Sequence, residues 1–329
     1  MEKVAEALRV RAKKALINGE VDRIFAWKRG EFWYDATPAV FETAGETDEL
    51  LWDSFCVANL SKYLVGAQKQ GLTVGVFLKG CDALAFNQLL KDNRIARESV
   101  RVFGLPCPGM VDPDKLKRAK LHRGLSQVKR RGDALLLCGK KGEQEVAARD
   151  YLYEKCLACR RPNPVVYDEL LAELQMEPDN TAVRFAKVEE LEAMTPEARF
   201  AFWQTEFAKC IRCNACRNIC PACSCEKCIF DNHDSGVAAK ANEDSCEEAF
   251  FHLIRAYHVA GRCVDCGECS RVCPQGIPLQ LLNRKLIKDI NALYGEYEAG
   301  LEPQGAAPLT AYRLDDEDPF DGRSKGGRA

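Results

Sequence analysis

The chain has 329 residues, and its 47 Lys and Arg residues nearly balance its 49 Asp and Glu residues, which gives a net charge of −2. A charge so close to zero provides no bulk attraction to nucleic acid or to an anionic membrane. No apolar run reaches the roughly 18 residues that a spanning helix needs, so no direct membrane insertion is expected. The first residues lack the apolar segment of a secretory signal, and the 18 cysteines therefore indicate a reducing cytoplasm.

The first half of the chain has the pattern of an α/β domain. Residues 52–65 predict a helix with an aromatic start. Buried strands are predicted at 73–78 and 100–105, with a helix between them that has Asp82 as its N-cap. A strand, a helix of about ten residues and a second strand imply parallel pairing. Residues 133–148 then predict a hairpin around a Gly-Lys-Lys-Gly turn.

Two cysteines of this half lie on loops that directly follow predicted strands. Cys81 follows the first strand and Cys107 the second. Free cysteine is among the most buried residue types, so core packing is the default interpretation of an isolated one. The loops after parallel strands are, however, where ligands bind. No glycine-rich dinucleotide motif and no Walker A motif accompanies them, so an ordinary nucleotide site is not indicated.

The second half contains two runs of the form C-x2-C-x2-C-x3-C-P, which lie 53 residues apart. This spacing is the bacterial-ferredoxin signature for two [4Fe–4S] clusters, in which the last cysteine of each run ligates the other cluster. Zinc sites commonly use two separated C-x2-C pairs and fit the pattern poorly. The ligands predicted for the first cluster are Cys210, Cys213, Cys216 and Cys273. Those predicted for the second cluster are Cys263, Cys266, Cys269 and Cys220.

The resemblance between the two runs extends upstream into predicted helices. Residues 196–209 and 247–260 both carry aromatic and aliphatic side chains at intervals of three and four. The repeated unit is therefore a helix followed by a cluster loop. The 42 residues between Cys220 and Cys263 are more than a compact bacterial ferredoxin uses to connect its cluster runs.

Further cysteines suggest a third metal site. Cys156 and Cys159 form a C-x2-C pair, and three more cysteines follow the first run. The predicted set is Cys156, Cys159, Cys225 and Cys228, with Cys223 as a substitute. Zinc accepts this arrangement of two pairs. A third [4Fe–4S] cluster fits as well and is slightly favoured, because the chain already carries iron–sulfur motifs. The remaining interpretation is that these cysteines are reduced thiols packed in a core.

The motifs resemble those of known families. The second cysteine run, with the long spacer and helical flanks, is similar to the α-helical ferredoxin fold of succinate dehydrogenase iron–sulfur subunits and heterodisulfide reductase C subunits. The Lys-Gly-Cys-Asp-Ala, Gly-Leu-Pro-Cys-Pro-Gly and Tyr-Glu-Lys-Cys-Leu-Ala-Cys segments resemble the β subunits of F420-reducing hydrogenases and formate dehydrogenases. Over residues 50–290 the chain resembles the ferredoxin-like subunits that accompany heterodisulfide reductase-type complexes in anaerobes.

The resemblance implies an electron-transfer subunit of an anaerobic oxidoreductase complex. The expected partners are heterodisulfide reductase-like, flavoprotein, hydrogenase or dehydrogenase subunits, and the chain itself catalyses no bond change. The alternative is a flavin-containing dehydrogenase subunit that acts on F420 or a similar hydride carrier. FAD is the cofactor of that alternative, but the glycine-rich flavin segment of those β subunits is missing near the N-terminus.

The predicted organisation has four parts. Residues 1–160 form an α/β domain with a small, partly parallel sheet, and 161–205 form a helical linker. Residues 206–295 form an α-helical ferredoxin domain with two [4Fe–4S] clusters. Residues 296–329 are rich in Pro, Gly and Asp and are expected to be extended or disordered.

Overall fold

The computed structural model describes residues 1–140, 142–232 and 245–310. In these ranges an N-terminal α/β region precedes a helical C-terminal region, as the sequence predicted. The strands are β1 (Arg23–Arg29), β2 (Ala36–Phe41), β3 (Val74–Leu78), β4 (Val100–Gly104), β5 (Leu125–Arg131), β6 (Ala134–Gly139), β7 (Gly142–Ala147) and β8 (Glu169–Leu170). The α-helices are α1 (Glu2–Ile17), α2 (Ser61–Lys69), α3 (Gly80–Lys91), α4 (Pro113–Arg118), α5 (Glu154–Leu157), α6 (Thr181–Arg184), α7 (Ala186–Glu192), α8 (Pro196–Phe207), α9 (Ala215–Asn218), α10 (Ser245–His258), α11 (Glu268–Arg271) and α12 (Leu279–Tyr294).

The main sheet has five strands in the order β2-β1-β3-β4-β8. β1, β3, β4 and β8 run parallel to one another, and β2 pairs antiparallel with β1. The central strand β3 is buried along its whole length, which explains why it is an uninterrupted apolar run. Because all the parallel strands end at the same edge, the loops that follow them converge there.

The predicted β-α-β unit is confirmed, with Val76 opposite Val102 in the parallel register. The predicted N-cap is wrong. Lys79 is the N-cap of α3, and Asp82 lies three residues later, where its carboxylate accepts a hydrogen bond from the Lys79 backbone N–H at 3.3 Å. Asp82 therefore closes a capping box from inside the first turn of the helix.

The start of α3 lies against the chain near residue 161. A Cβ atom on Gly80 would lie 1.9 Å from the carbonyl oxygen of Arg161. Glycine at this position therefore permits a backbone approach that no other residue allows. This contact brings the segment after Cys159 onto the edge of the sheet where the strands end.

The helix predicted over residues 52–65 is only partly present. Helix α2 begins at Ser61, and residues 52–60 are irregular although almost wholly buried. The Asp53 carboxylate accepts a hydrogen bond from the Phe55 backbone N–H at 2.8 Å. The Asn59 amide oxygen accepts one from the Ser61 N–H at 3.0 Å. Such local side-chain bonds compete with helical hydrogen bonding, and here they replace it.

The segment predicted as a helical linker differs from that expectation. Residues 161–180 contain the edge strand β8 and no α-helix, and helices resume at Thr181. Helix α1 and strands β1 and β2 were not predicted at all. The predicted hairpin is present as β6 and β7, and Lys141 in its turn lies outside the described residues.

The helical region is organised around α8, α10 and α12, and the two helices predicted before the cysteine runs are α8 and α10. Its core is small and includes Phe207, Phe251 and Leu279. Part of the predicted tail packs rather than extending away, since Ala299 contacts Leu84 of α3. Residues 311–329 of that tail lie outside the described residues. In the part of the chain that the structure describes, no helix has the length and apolar character of a membrane span.

Candidate iron–sulfur centres

The two cysteine runs have the same backbone shape. In the first run Arg212 and Asn214 have φ values of 51° and 61°, and in the second Asp265 and Gly267 have values of 55° and 66°. These residues are equivalent in the repeat of 53 residues, and each pair is followed by a four-residue helix, α9 or α11. Left-handed residues on either side of the second cysteine of each run curl the chain. In the first run the three thiols arranged in this way line one cavity.

The first predicted ligand set lines one cavity. Cys210, Cys213 and Cys216 reach it from the first run, and Cys273 reaches it from the second. Cys216, Cys210 and Cys273 also belong to one packed core. The Arg212 backbone N–H donates a hydrogen bond to the Cys210 sulfur at 3.3 Å, which is the type of contact that stabilises a ligated thiolate.

The second predicted set is also close together. Cys220 from the first run packs with Cys263, and its thiol interacts electrostatically with those of Cys263, Cys266 and Cys269. Burial raises the pKa of Cys269 to about 11, so its unbound thiol is neutral. The Asn283 side-chain amide donates to the Cys269 sulfur at 3.6 Å.

The third cysteine group has different members from those predicted. Cys156 and Cys159 line a cavity of about 390 Å³ together with Cys81 and Cys107, the two cysteines that follow β3 and β4. Cys225 and Cys228 do not line it, and Cys228 packs instead in the helical core beside Phe230. Cys223 packs with Cys220 at the second set. The predicted combination of Cys156 and Cys159 with Cys225 and Cys228 is therefore not assembled.

Folding explains why Cys81 and Cys107 reach Cys156. The carboxyl ends of β3 and β4 are adjacent, which places the two cysteines side by side. An isolated bridge between Val111 and Leu152, and a hydrogen bond of 2.8 Å from the Cys107 N–H to the Pro162 carbonyl, fix the later segment across them. In the sequence, the feature that could have indicated this grouping is the position of Cys81 and Cys107 directly after parallel strands.

Burial and nearby cations act in opposite directions on the pKa values of the thiols in this group. Burial raises the pKa of Cys107 to about 12, and that of Cys159 also to about 12. Lys79 and Lys155 are buried at the same cavity and favour negative charge on the sulfur atoms. The Met110 backbone N–H donates to the Cys156 sulfur at 3.4 Å.

Among the described residues, no three Cys, His, Asp or Glu side chains converge closely enough to hold a single metal ion. A four-iron cluster holds its thiolates farther apart than one ion does, so this spacing does not conflict with clusters. The cysteines of the two runs fit two such clusters in number and in ligand type.

A buried ion pair connects the third group to the second run. The Lys155 ammonium lies 2.6 Å from the Glu268 carboxylate, which also pairs with Arg271 at 2.7 Å. Burial by itself raises the pKa of Glu268, but the two cations outweigh it and hold the value at about 2. The Asn59 backbone N–H donates to the same carboxylate at 3.3 Å. The ion pair therefore joins Lys155, the neighbour of Cys156, to Glu268, the neighbour of Cys269.

Comparison with known proteins agrees with this geometry. Residues 206–277 match the family described as the 4Fe-4S dicluster domain. The fold and the site thus define an iron–sulfur protein whose helical region is a 4Fe-4S dicluster domain. Over 75–81% of its length the chain is also similar to the β subunits of F420-dependent formate dehydrogenases.

Two of these relatives are archaeal. The F420-dependent formate dehydrogenase subunit beta of Methanocaldococcus jannaschii is 23% identical over 321 residues, which covers 81% of this chain and 84% of the relative. The F420-dependent formate dehydrogenase 1 subunit beta of Methanococcus maripaludis is 23% identical over 318 residues, covering 75% and 78%. A chain of the xenon-derivatised F420-reducing [NiFe] hydrogenase complex from Methanosarcina barkeri matches 64% of this chain and 90% of its own, with 13% identity and a TM-score of 0.40. That score is too low to bear on function.

Proposed function

We propose that this protein is the iron–sulfur electron-transfer subunit of an oxidoreductase complex. The observation that carries the proposal is the pair of cysteine runs with one backbone shape, in which each run lends its last cysteine to the other. Clusters bound at these sites accept and release single electrons. The chain itself supplies the thiolate ligands, the hydrogen bonds to sulfur and the exclusion of water.

The three cysteine groups lie in a row. Cys266 of the second set lines the cavity of the third group, so those two groups share a wall. Cys216 of the first set and Cys269 of the second belong to the same core. The order is therefore third group, second set, first set. This order supports an electron-transfer path from the edge of the sheet to the surface of the helical region, where Cys213 is exposed.

For the third group we propose a [4Fe–4S] cluster held by Cys81, Cys107, Cys156 and Cys159. Four thiolates with no histidine or carboxylate match the ligand set of such a cluster. Zinc accepts four thiolates as well, and the measurement described below distinguishes the two metals. The partners that fit this arrangement are other redox subunits, as in the formate dehydrogenases to which the relatives belong.

The test is the iron, sulfide, zinc and flavin content of the anaerobically purified full chain. We expect about 12 iron and 12 sulfide per chain, which corresponds to three four-iron clusters. About 8 iron with one zinc would support electron transfer through two clusters and make the third group a zinc site. Zinc alone, with little iron, would contradict the proposal.

A flavin-dependent dehydrogenase subunit that acts on F420 or a similar carrier is the second candidate function. The observation that favours it is the 390 Å³ cavity at the carboxyl ends of the parallel strands, which Arg160, Arg161 and Arg184 help to line. Cationic side chains at such an edge suit an anionic cofactor. One FAD per chain, with hydride transfer to F420, would place this function first.

A further inference from the structure

Helix α10 buries polar side chains on the face that most helices keep apolar. Glu248, His252 and Arg255 are respectively 3%, 1% and 2% exposed, and Phe251 lies among them. Their spacing of three and four residues places them on one stripe. Phe251 of this stripe belongs to the apolar core, so the three polar side chains beside it need polar partners.

Arg255 is the most unusual member of the stripe. Its Nε, Nη1 and Nη2 atoms all lack a hydrogen-bond partner among the described residues. The half-buried Arg11 and Arg212 each leave only one nitrogen in that state. Leaving a whole guanidinium buried and unpaired is strongly unfavourable, so its position implies an acceptor that the described residues do not provide.

The surroundings of Arg255 identify that acceptor. Its electrostatic partners are Cys269, Cys216, Cys220 and Cys223, which come from both cysteine runs. Cys216 belongs to the first ligand set, and Cys220 and Cys269 belong to the second. The guanidinium therefore lies between the two sets, within reach of the groups that they hold. Its planar fork presents five donors, enough to serve acceptors on two sides.

Of the charged groups near Arg255, Glu248 and Arg212 pair with each other. The Glu248 carboxylate lies 3.5 Å from the Arg212 guanidinium, which in turn lies 4.2 Å from the centre of the Phe251 ring. His252 stacks on the Phe207 ring at 5.0 Å. Arg255 is thus the cation of the stripe that is left to compensate buried negative charge.

We propose that Arg255 is a positioning residue that holds a fixed positive charge between the two clusters and donates hydrogen bonds to sulfur on both sides. The inference rests on the proposed function. Reduction adds an electron to a cluster, and a nearby cation stabilises the added charge. Hydrogen bonds to sulfur act in the same direction. Arg255 therefore raises the reduction potentials of both clusters and keeps the two potentials similar.

The experiment uses the full chain, anaerobically loaded with iron and sulfide, and follows the clusters by EPR in a potentiometric titration. In Arg255→Leu we expect the ratio of reduced to oxidised cluster at a fixed potential to fall about tenfold at both sites, equivalent to about 59 mV for a one-electron couple. Arg255→Lys keeps the charge but loses the fork, so its shift is smaller. The cluster of the third group is an internal control, and the potential at which its EPR signal appears should not change.

Lys288→Leu is the matched control. It removes one positive charge from the same region, where Lys288 pairs with Glu192 on the surface, and both potentials should stay at the wild-type values. Wild-type potentials in a fully loaded Arg255→Leu protein would overturn the inference. A wild-type chain without clusters would instead defeat the proposed function, and the inference with it.

A second measurement covers the case in which Arg255→Leu fails to retain iron. Protein grown with 15N-arginine should show nitrogen hyperfine coupling to the reduced clusters in pulsed EPR. The coupling should weaken in labelled Arg255→Lys, which keeps the fold and the charge. Equal coupling in the two proteins would overturn the inference.

Discussion

Buried thiols explain why metal and fold depend on each other here. Burial raises the pKa of Cys107 and Cys159 to about 12 and that of Cys269 to about 11. At neutral pH these thiols are protonated unless a metal takes the place of the proton. Cluster assembly therefore releases protons and is favoured by higher pH. The sites gather thiols that are stable only as neutral groups or as metal ligands.

A pair of alanine substitutions tests the membership of the third group. Cys107→Ala should lower the iron content by about four per chain, because it removes one corner of a four-iron site. Cys228→Ala is the control and should leave iron content at the wild-type value, since Cys228 packs in the helical core. Iron and sulfide assays on the purified proteins measure both. Loss of iron from the Cys228 variant alone would restore the ligand set that the sequence suggested.

At the scale of elements, segments distant in sequence seal the sites. The chain after α12 returns to α3, where Ala299 contacts Leu84 and the Asn87 side-chain amide donates to the Leu301 carbonyl at 3.4 Å. Gly300 makes the approach possible, because a Cβ atom there would lie 1.9 Å from the Leu84 carbonyl oxygen. The same core includes Cys266, so this segment covers the second ligand set.

Two glycine substitutions separate crowding from backbone strain. Gly300 and Gly305 have φ values of +76° and +84°, but only Gly300 has neighbours within 4 Å of an added Cβ. Gly305→Ala should cost about 1–2 kcal/mol of unfolding free energy through left-handed strain alone. Gly300→Ala should lose a further 1–3 kcal/mol or so through overpacking against α3. Urea denaturation followed by circular dichroism measures the difference, and equal losses would show that the segment does not pack against α3.

For the whole molecule, the two halves have very unequal cores. The parallel sheet and its helices bury a large apolar cluster that includes Trp27, Phe77 and Phe103. The helical region buries far fewer apolar side chains around Phe207 and Phe251. Under the proposed function, ligation by cysteines from both runs would close long loops in the second region and supply the cohesion that its core lacks.

Removal of iron should therefore affect the halves differently. After chelation under reducing conditions, hydrogen exchange of backbone amides should remain slow in β3 and β4. Exchange in α9 and α11 should approach that of an unfolded chain, because those short helices are held by their cysteines. Mass spectrometry of peptic fragments, with loaded protein as the control, measures both regions. Full protection of the two short helices in the apoprotein would contradict this dependence.

The sequence by itself determined the two cysteine runs, the helices α8 and α10 before them, and the β-α-β unit. These features depend on spacing and periodicity over fewer than about twenty residues, where local geometry decides. Only the tertiary structure decided that Cys81 and Cys107 join Cys156 and Cys159, because the carboxyl ends of parallel strands meet at one edge. It also decided that Arg255 lies between the two ligand sets. Its position follows from how α10 packs, which no spacing along the chain encodes.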